Sequence, residues 1–245
     1  MTLLDHLEEL RSRLIVVLIA LAFGAVPAWF IYDPLIELLT GPYCDFLTDN
    51  PAFNPFPGEC KLYFSAVTDA FTIKLRVVLY LGLVLALPVI LYELWMFIVP
   101  GLTSRERRYA VPFIGSSLVL FAAGAVFAYL SLPRGLEFLL GFAGEDVAPL
   151  LFFDRYFTFV IFVILAFGVS FLLPVLLVFL EMVGVLSPET LGSWRRWAIL
   201  AIVVFAAAIT PTGDPMTLTA LALPMYLFYE AAIIIGRILR RQRSE

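Results

Sequence analysis

Charge is scarce in this 245-residue chain. Only 15% of its residues are Asp, Glu, Lys or Arg, while 62% are apolar and the mean hydropathy is +0.98. Soluble domains carry about a quarter charged residues. A water-soluble globule of this size could not hide so much apolar surface, so the solvent is lipid and the chain reads as an all-α polytopic membrane protein. Histidine is scarcer still, with His6 alone. That argues against histidine triads, multi-histidine zinc sites and haem ligation. Neither a GxxxxGKS nor a GxGxxG phosphate loop occurs. The net charge of −4 and pI of about 5.1 give nucleic acid no basic surface. No catalytic group, metal or cofactor is expected, and transport, binding or scaffolding comes forward instead.

What the chain does have is long apolar runs. A spanning helix needs about 20 apolar residues. Six runs qualify or nearly so: Leu14 to Tyr32, Phe71 to Val99, Tyr109 to Leu132, Tyr156 to Leu180, Trp197 to Ile209 and about Thr217 to Gly236. The first does not read as a cleaved signal sequence, because Asp5, Glu8 and Glu9 flank it and it is too long. The expected fold is six transmembrane helices, with short fifth and sixth helices. Thirteen residues in the fifth run give roughly 20 Å of helix against about 30 Å of hydrocarbon. Either longer neighbours shield that helix or it thins the membrane locally.

Six spans put both termini on one side. Eleven of the sixteen Lys and Arg residues then share the terminal face, which the positive-inside rule makes cytoplasmic. Sorted by side, the net charge of −4 becomes +5 inside, −6 outside and −3 within the spans, the last from Glu93, Glu181 and Glu230. Residues 33–70 form the largest outer loop, rich in proline and therefore expected to be dominated by turns. Cys44 and Cys60 both lie in it. An oxidising compartment lets them pair, at a gain of roughly 3 kcal/mol for a loop of about 15 residues; the alternative is two thiols with no role.

Residues 1–13 read as a cytoplasmic amphipathic helix, with Leu3, Leu7, Leu10 and Leu14 at helical spacing. The connection after the second run, Pro100-Gly-Leu-Thr-Ser-Arg-Glu-Arg-Arg108, sets Glu106 among arginines. Residues 237–245 form a basic tail. Taken alone, each of these is an ordinary solvated or positive-inside segment.

Together with other segments they resemble one family. His6-Leu-Glu-Glu-Leu-Arg-Ser-Arg13, Leu91-Tyr-Glu-Leu-Trp-Met-Phe-Ile-Val-Pro-Gly-Leu102 and Ser104-Arg-Glu-Arg-Arg108 look like the TatC subunit of the twin-arginine translocase. So do Ala166-Phe-Gly-Val-Ser-Phe171, Thr210-Pro-Thr-Gly-Asp-Pro215 and Leu223-Pro-Met-Tyr-Leu-Phe-Tyr-Glu230. The resemblance runs in order along essentially the whole chain.

It implies a receptor in the cytoplasmic membrane of a prokaryote, with both termini cytoplasmic. Such a receptor binds the twin-arginine signal peptides of folded cargo, self-associates, and works with single-span TatA and TatB partners under the proton-motive force. The family's docking carboxylates map onto Glu9 and Glu106, and basic positions of the same motifs onto Arg11 and Arg105. Guanidinium prefers a carboxylate fork, and two arginines ask for two acceptors. On a face of net +5, binding needs placed acids rather than a diffuse field. Glu230, Thr210, Asp214 and Thr219 are the polar positions left for docking partner helices. The family's polar residues in spans four and six are here Leu172 and Leu218. The competing reading is a secondary transporter or channel that relays protons or cations through Glu93, Glu181 and Glu230. An intramembrane protease lacks both a Gly-x-Ser-x-Gly motif and a histidine within the spans.

Overall fold

Apolar runs with few internal breakers become long helices, since lipid offers no partner for an unpaired backbone group. In the computed structural model, which describes residues 3–53, 60–98, 110–141, 150–182, 184–209 and 215–244, the regular elements are helical. They are α1 (Leu3–Phe30), α2 (Tyr32–Asp49), α3 (Asp69–Ile98), α4 (Ala110–Gly141) and α5 (Phe153–Ser170). α6 (Leu173–Met182), α7 (Pro188–Ser193), α8 (Arg195–Ile209) and α9 (Pro215–Ser244) follow. Five stretches are long and apolar enough to cross a membrane: Leu7–Phe30, Asp69–Phe97, Val111–Gly141, Phe153–Met182 and Thr217–Ile238. α8, the expected short fifth helix, has 15 residues. Its length of about 22 Å falls short of the hydrocarbon thickness.

Contacts gather the chain into two compact units. The first holds Met1–Thr40, Phe64–Leu118 and Phe152–Phe157. Its centre is the antiparallel pair α1 and α3. Gly24 and Gly82 meet there so closely that a Cβ on Gly24 would lie 2.6 Å from the Gly82 carbonyl oxygen. Small residues at a crossing let helix backbones approach, which strengthens packing where lipid supplies no hydrophobic drive. At one end of the pair the Lys74 ammonium sits over the rings of Trp29 (4.6 Å) and Tyr32 (4.7 Å). The N-terminal amphipathic segment is continuous with the first span in α1. Its leucine stripe faces outward, with Leu7, Leu10 and Leu14 all exposed, and its polar stripe faces α3.

The second unit holds Gly41–Tyr63, Val119–Leu151 and Thr158–Glu245. Here α4 crosses α5 at Gly124 and Gly168, where a Cβ on Gly124 would come 2.7 Å from the Phe167 carbonyl oxygen. The fourth run is one apolar stretch but two helices. The Leu172 N–H bonds the Val169 carbonyl at 3.0 Å, one residue short of the helical register, just before Pro174. Proline has no N–H to offer Ser170, so the helix breaks there. α6 ends in a Schellman turn: Val185 N–H bonds the Leu180 carbonyl and Gly184 N–H the Glu181 carbonyl. Gly184 supplies the positive φ of 80° that this turn requires. Ser187 then caps α7 by accepting from the Thr190 N–H, with Pro188 behind it. The Tyr229 hydroxyl of α9 donates to the Leu191 carbonyl at 2.7 Å, fixing α7 on α9.

Three expectations are corrected. The outer loop is not mainly turns, because Tyr32–Asp49 is an 18-residue helix. Leu39, Pro42, Tyr43, Phe46 and Leu47 form its buried face at helical spacing, and Pro34 lies in the first turn, where no N–H is missed. The third span does not stop before Pro133. Its buried stripe of Phe121, Ala128, Leu132 and Leu136 carries α4 on to Gly141. The sixth helix is not short: α9 has 30 residues, since the basic segment after Gly236 contains good helix formers and continues the span.

Candidate functional site

Glu9 lies one turn before Arg13 on α1, the spacing at which side chains meet along a helix. Arg13 also reaches α3, and the two contacts make a three-residue cluster. Its Nη2 and Nε donate to Glu9 Oε1 at 2.5 and 3.2 Å, and its Nη1 donates to Glu93 Oε2 at 3.0 Å. The register follows from the glycine crossing. Arg13 lies eleven residues before Gly24, and Glu93 eleven residues after Gly82, so antiparallel helices bring them level. The three side chains are 19%, 22% and 15% exposed for Arg13, Glu9 and Glu93. They are therefore partly desolvated yet reachable. The cluster holds two carboxylates and one guanidinium, and among the described residues no second cation lies within ion-pair distance of either acid.

The other expected positions are distributed as follows. Glu106, Arg105, Thr210 and Asp214 lie outside the described residues. Arg11 is exposed and stands about 200° around α1 from Glu9. Thr219 turns its hydroxyl back to the Pro215 carbonyl at 2.6 Å. Glu230 is engaged within the second unit: Arg195 Nε and Nη2 of α8 lie 2.7 Å from its two oxygens, and the Tyr226 hydroxyl donates to it at 3.0 Å. This is a forked guanidinium–carboxylate pair. Cys44 and Cys60 are joined in a disulfide.

Sequence reading missed Arg13, although its four-residue spacing from Glu9 was visible. The pairing of Glu93 with Arg13 was missed as well, because nothing local reveals a partner 80 residues away.

Glu181 differs from the other intramembrane acids. Both its oxygens are buried and, among the described residues, without a hydrogen-bond partner. They border a cavity of about 300 Å³ lined also by Ser187, Gly236 and Arg240. A Cβ at Gly236 would overlap the Glu181 carboxylate, so the glycine makes room for the acid. Beside the cavity, Arg240 pairs with Glu189. Glu189 is held below the usual carboxylate range, first by its own backbone N–H at the start of α7 and then by Ser187 and Arg240. Glu93 shares Arg13 with Glu9, Glu230 pairs with Arg195, and Glu181 has no hydrogen-bond partner among the described residues.

Comparison with known proteins points the same way as the motifs. A family model for the Sec-independent protein translocase protein (TatC) matches residues 5–224. A TatC protein of Frankia casuarinae is 47% identical over 240 residues, which are 96% of this chain and 65% of the relative. This chain thus spans just under two thirds of that relative. A TatC protein of Aquifex aeolicus is 36% identical and is matched over 98% of its own length, with all of this chain covered. A crystal structure of the twin-arginine translocase receptor TatC superposes with a TM-score of 0.77 at 37% identity, covering 95% of this chain and 98% of the other. On sequence and fold alike, the chain belongs to the TatC family of Sec-independent protein translocase proteins, membrane transport components rather than enzymes.

Proposed function

We propose that this chain is the receptor subunit of a twin-arginine translocation system and that Glu9 and Glu106 dock the paired arginines of cargo signal peptides. The observation that carries the reading is the guanidinium already seated on Glu9. A carboxylate that holds Arg13 through two N–H groups has the reach and partial burial to hold an arginine from outside. Partial exclusion of water raises the strength of such a contact above that of a fully exposed pair. Glu106 enters by its place in the family motif, with Arg11 and Arg105 shaping the same docking region. Both termini lie in the cytoplasm, six helices cross the membrane, and α8 spans despite its length. TatA- and TatB-type helices dock in the membrane near Thr210, Asp214, Thr219 and Glu230, and copies of the chain associate with one another.

Photocrosslinking tests the reading. A photoreactive residue placed at position 9 or 106 of the full chain in native membranes should capture a twin-arginine signal peptide, and not one whose arginines are replaced by alanine. Capture that ignores the arginines, or no capture from either position, sinks the assignment. The transporter reading predicts instead that the purified chain alone supports small-solute flux in liposomes, abolished by Glu230→Gln.

A further inference from the structure

We infer that Arg13 is a resident occupant of the cargo site and that Glu93 is the acid that receives it when cargo arrives. The inference rests on the proposed role of Glu9 and deepens it. Arg13 contacts both acids at once, with two of its nitrogens on Glu9 and one on Glu93. A cargo guanidinium approaching Glu9 therefore meets a carboxylate that is already occupied. Displacing Arg13 into a partly desolvated setting with no partner would be costly. Glu93 removes that cost, because Arg13 is bonded to it before displacement begins and only has to let go of Glu9.

Charge supports the exchange. Among the described residues, two carboxylates and one guanidinium leave the cluster at −1, so one added guanidinium brings it to neutrality. The cluster thus has room for a single further cation, one arginine of a pair. The device also favours specificity. A lysine offers a point charge and no fork, so it competes poorly with a resident guanidinium that holds Glu9 through two nitrogens. The α1–α3 crossing at Gly24 and Gly82 keeps Glu93 level with Arg13, and so holds the receiving acid in place.

The test is a double-mutant cycle on the full chain in nanodiscs. The affinity of a fluorescent twin-arginine signal peptide is measured for the native chain, Arg13→Gln, Glu93→Gln and the double variant, with thermal unfolding recorded for each. Arg13→Gln removes the competitor and should tighten binding roughly tenfold, the scale of one charge-assisted hydrogen bond. Glu93→Gln removes the receiving acid and should weaken binding severalfold. In the Arg13→Gln background, Glu93→Gln should change affinity less than about twofold, because there is no resident left to receive. Arg13→Lys, which keeps the charge but loses the fork, should fall between native and Arg13→Gln and guards against a folding defect in the glutamine variant.

Equal or weaker binding by Arg13→Gln at native stability overturns the inference, since Arg13 would then be positioning Glu9. Equal weakening by Glu93→Gln in both backgrounds also overturns it, since Glu93 would then touch cargo directly. Glu9→Gln separates this failure from a deeper one. If that variant binds as the native chain does, the receptor site itself is misplaced and the exchange falls with it.

Discussion

A Cβ added to Gly24 would stand 2.6 Å from the Gly82 carbonyl oxygen, so the backbones of α1 and α3 touch where they cross. The obstacle is backbone, which cannot swing aside as a side chain can. Gly24→Ala should push the helices apart and destabilise the protein by about 1–3 kcal/mol. It should also loosen the contact between Arg13 and Glu93, which depends on that crossing. Thermal unfolding in detergent reads the first effect. A disulfide-trapping pair at positions 13 and 93 reads the second as slower crosslinking.

Glu181 and Gly236 form a coupled pair. Alanine is a better helix former than glycine by about 1 kcal/mol. Gly236→Ala should show that gain only in a Glu181→Ala background, because in the native chain the new methyl overlaps the carboxylate. Glu181→Leu should raise stability by about 1–3 kcal/mol, since it removes buried oxygens that no group satisfies. A drop in stability on Glu181→Leu would mean that the carboxylate holds a partner.

The disulfide closes a loop with a sequence separation of 16. Reducing it, or replacing Cys44 with Ser, should cost about 2–4 kcal/mol. The buried face of α2 is set by Leu39, Tyr43, Phe46 and Leu47 rather than by the bond, so helix content by circular dichroism should survive reduction at moderate temperature.

Replacing both cargo arginines by lysine should weaken peptide binding roughly tenfold or more, because the ammonium has no planar pair of N–H groups such as Arg13 sets on Glu9 Oε1. Equal affinity for the two peptides would show that the site reads charge alone.

Five of the spans were legible because lipid imposes a length and a composition that local sequence must meet. The family was legible in the motif around Glu9, whose neighbours carry its pattern. Other features depended on competition between local rules. Five prolines between residues 34 and 57 read as turns, yet Leu39, Tyr43 and Phe46 recur at helical spacing, and burial of that face formed α2. The third apolar run was read as ending at Leu132, yet Leu132 and Leu136 belong to one buried stripe and α4 runs on to Gly141. The pairing of Arg13 with Glu93 was not legible at all. It follows from the crossing of α1 and α3 at Gly24 and Gly82, a tertiary register that neither helix carries alone.

The most direct test of the account is the affinity of a twin-arginine signal peptide for the full chain in nanodiscs before and after Glu9→Gln. The substitution keeps the size of the side chain and one acceptor oxygen but removes the charge that a guanidinium needs. The account predicts a loss of at least about tenfold with the fold intact, the worth of one charge-assisted pair. Undiminished affinity in a folded Glu9→Gln protein would contradict it.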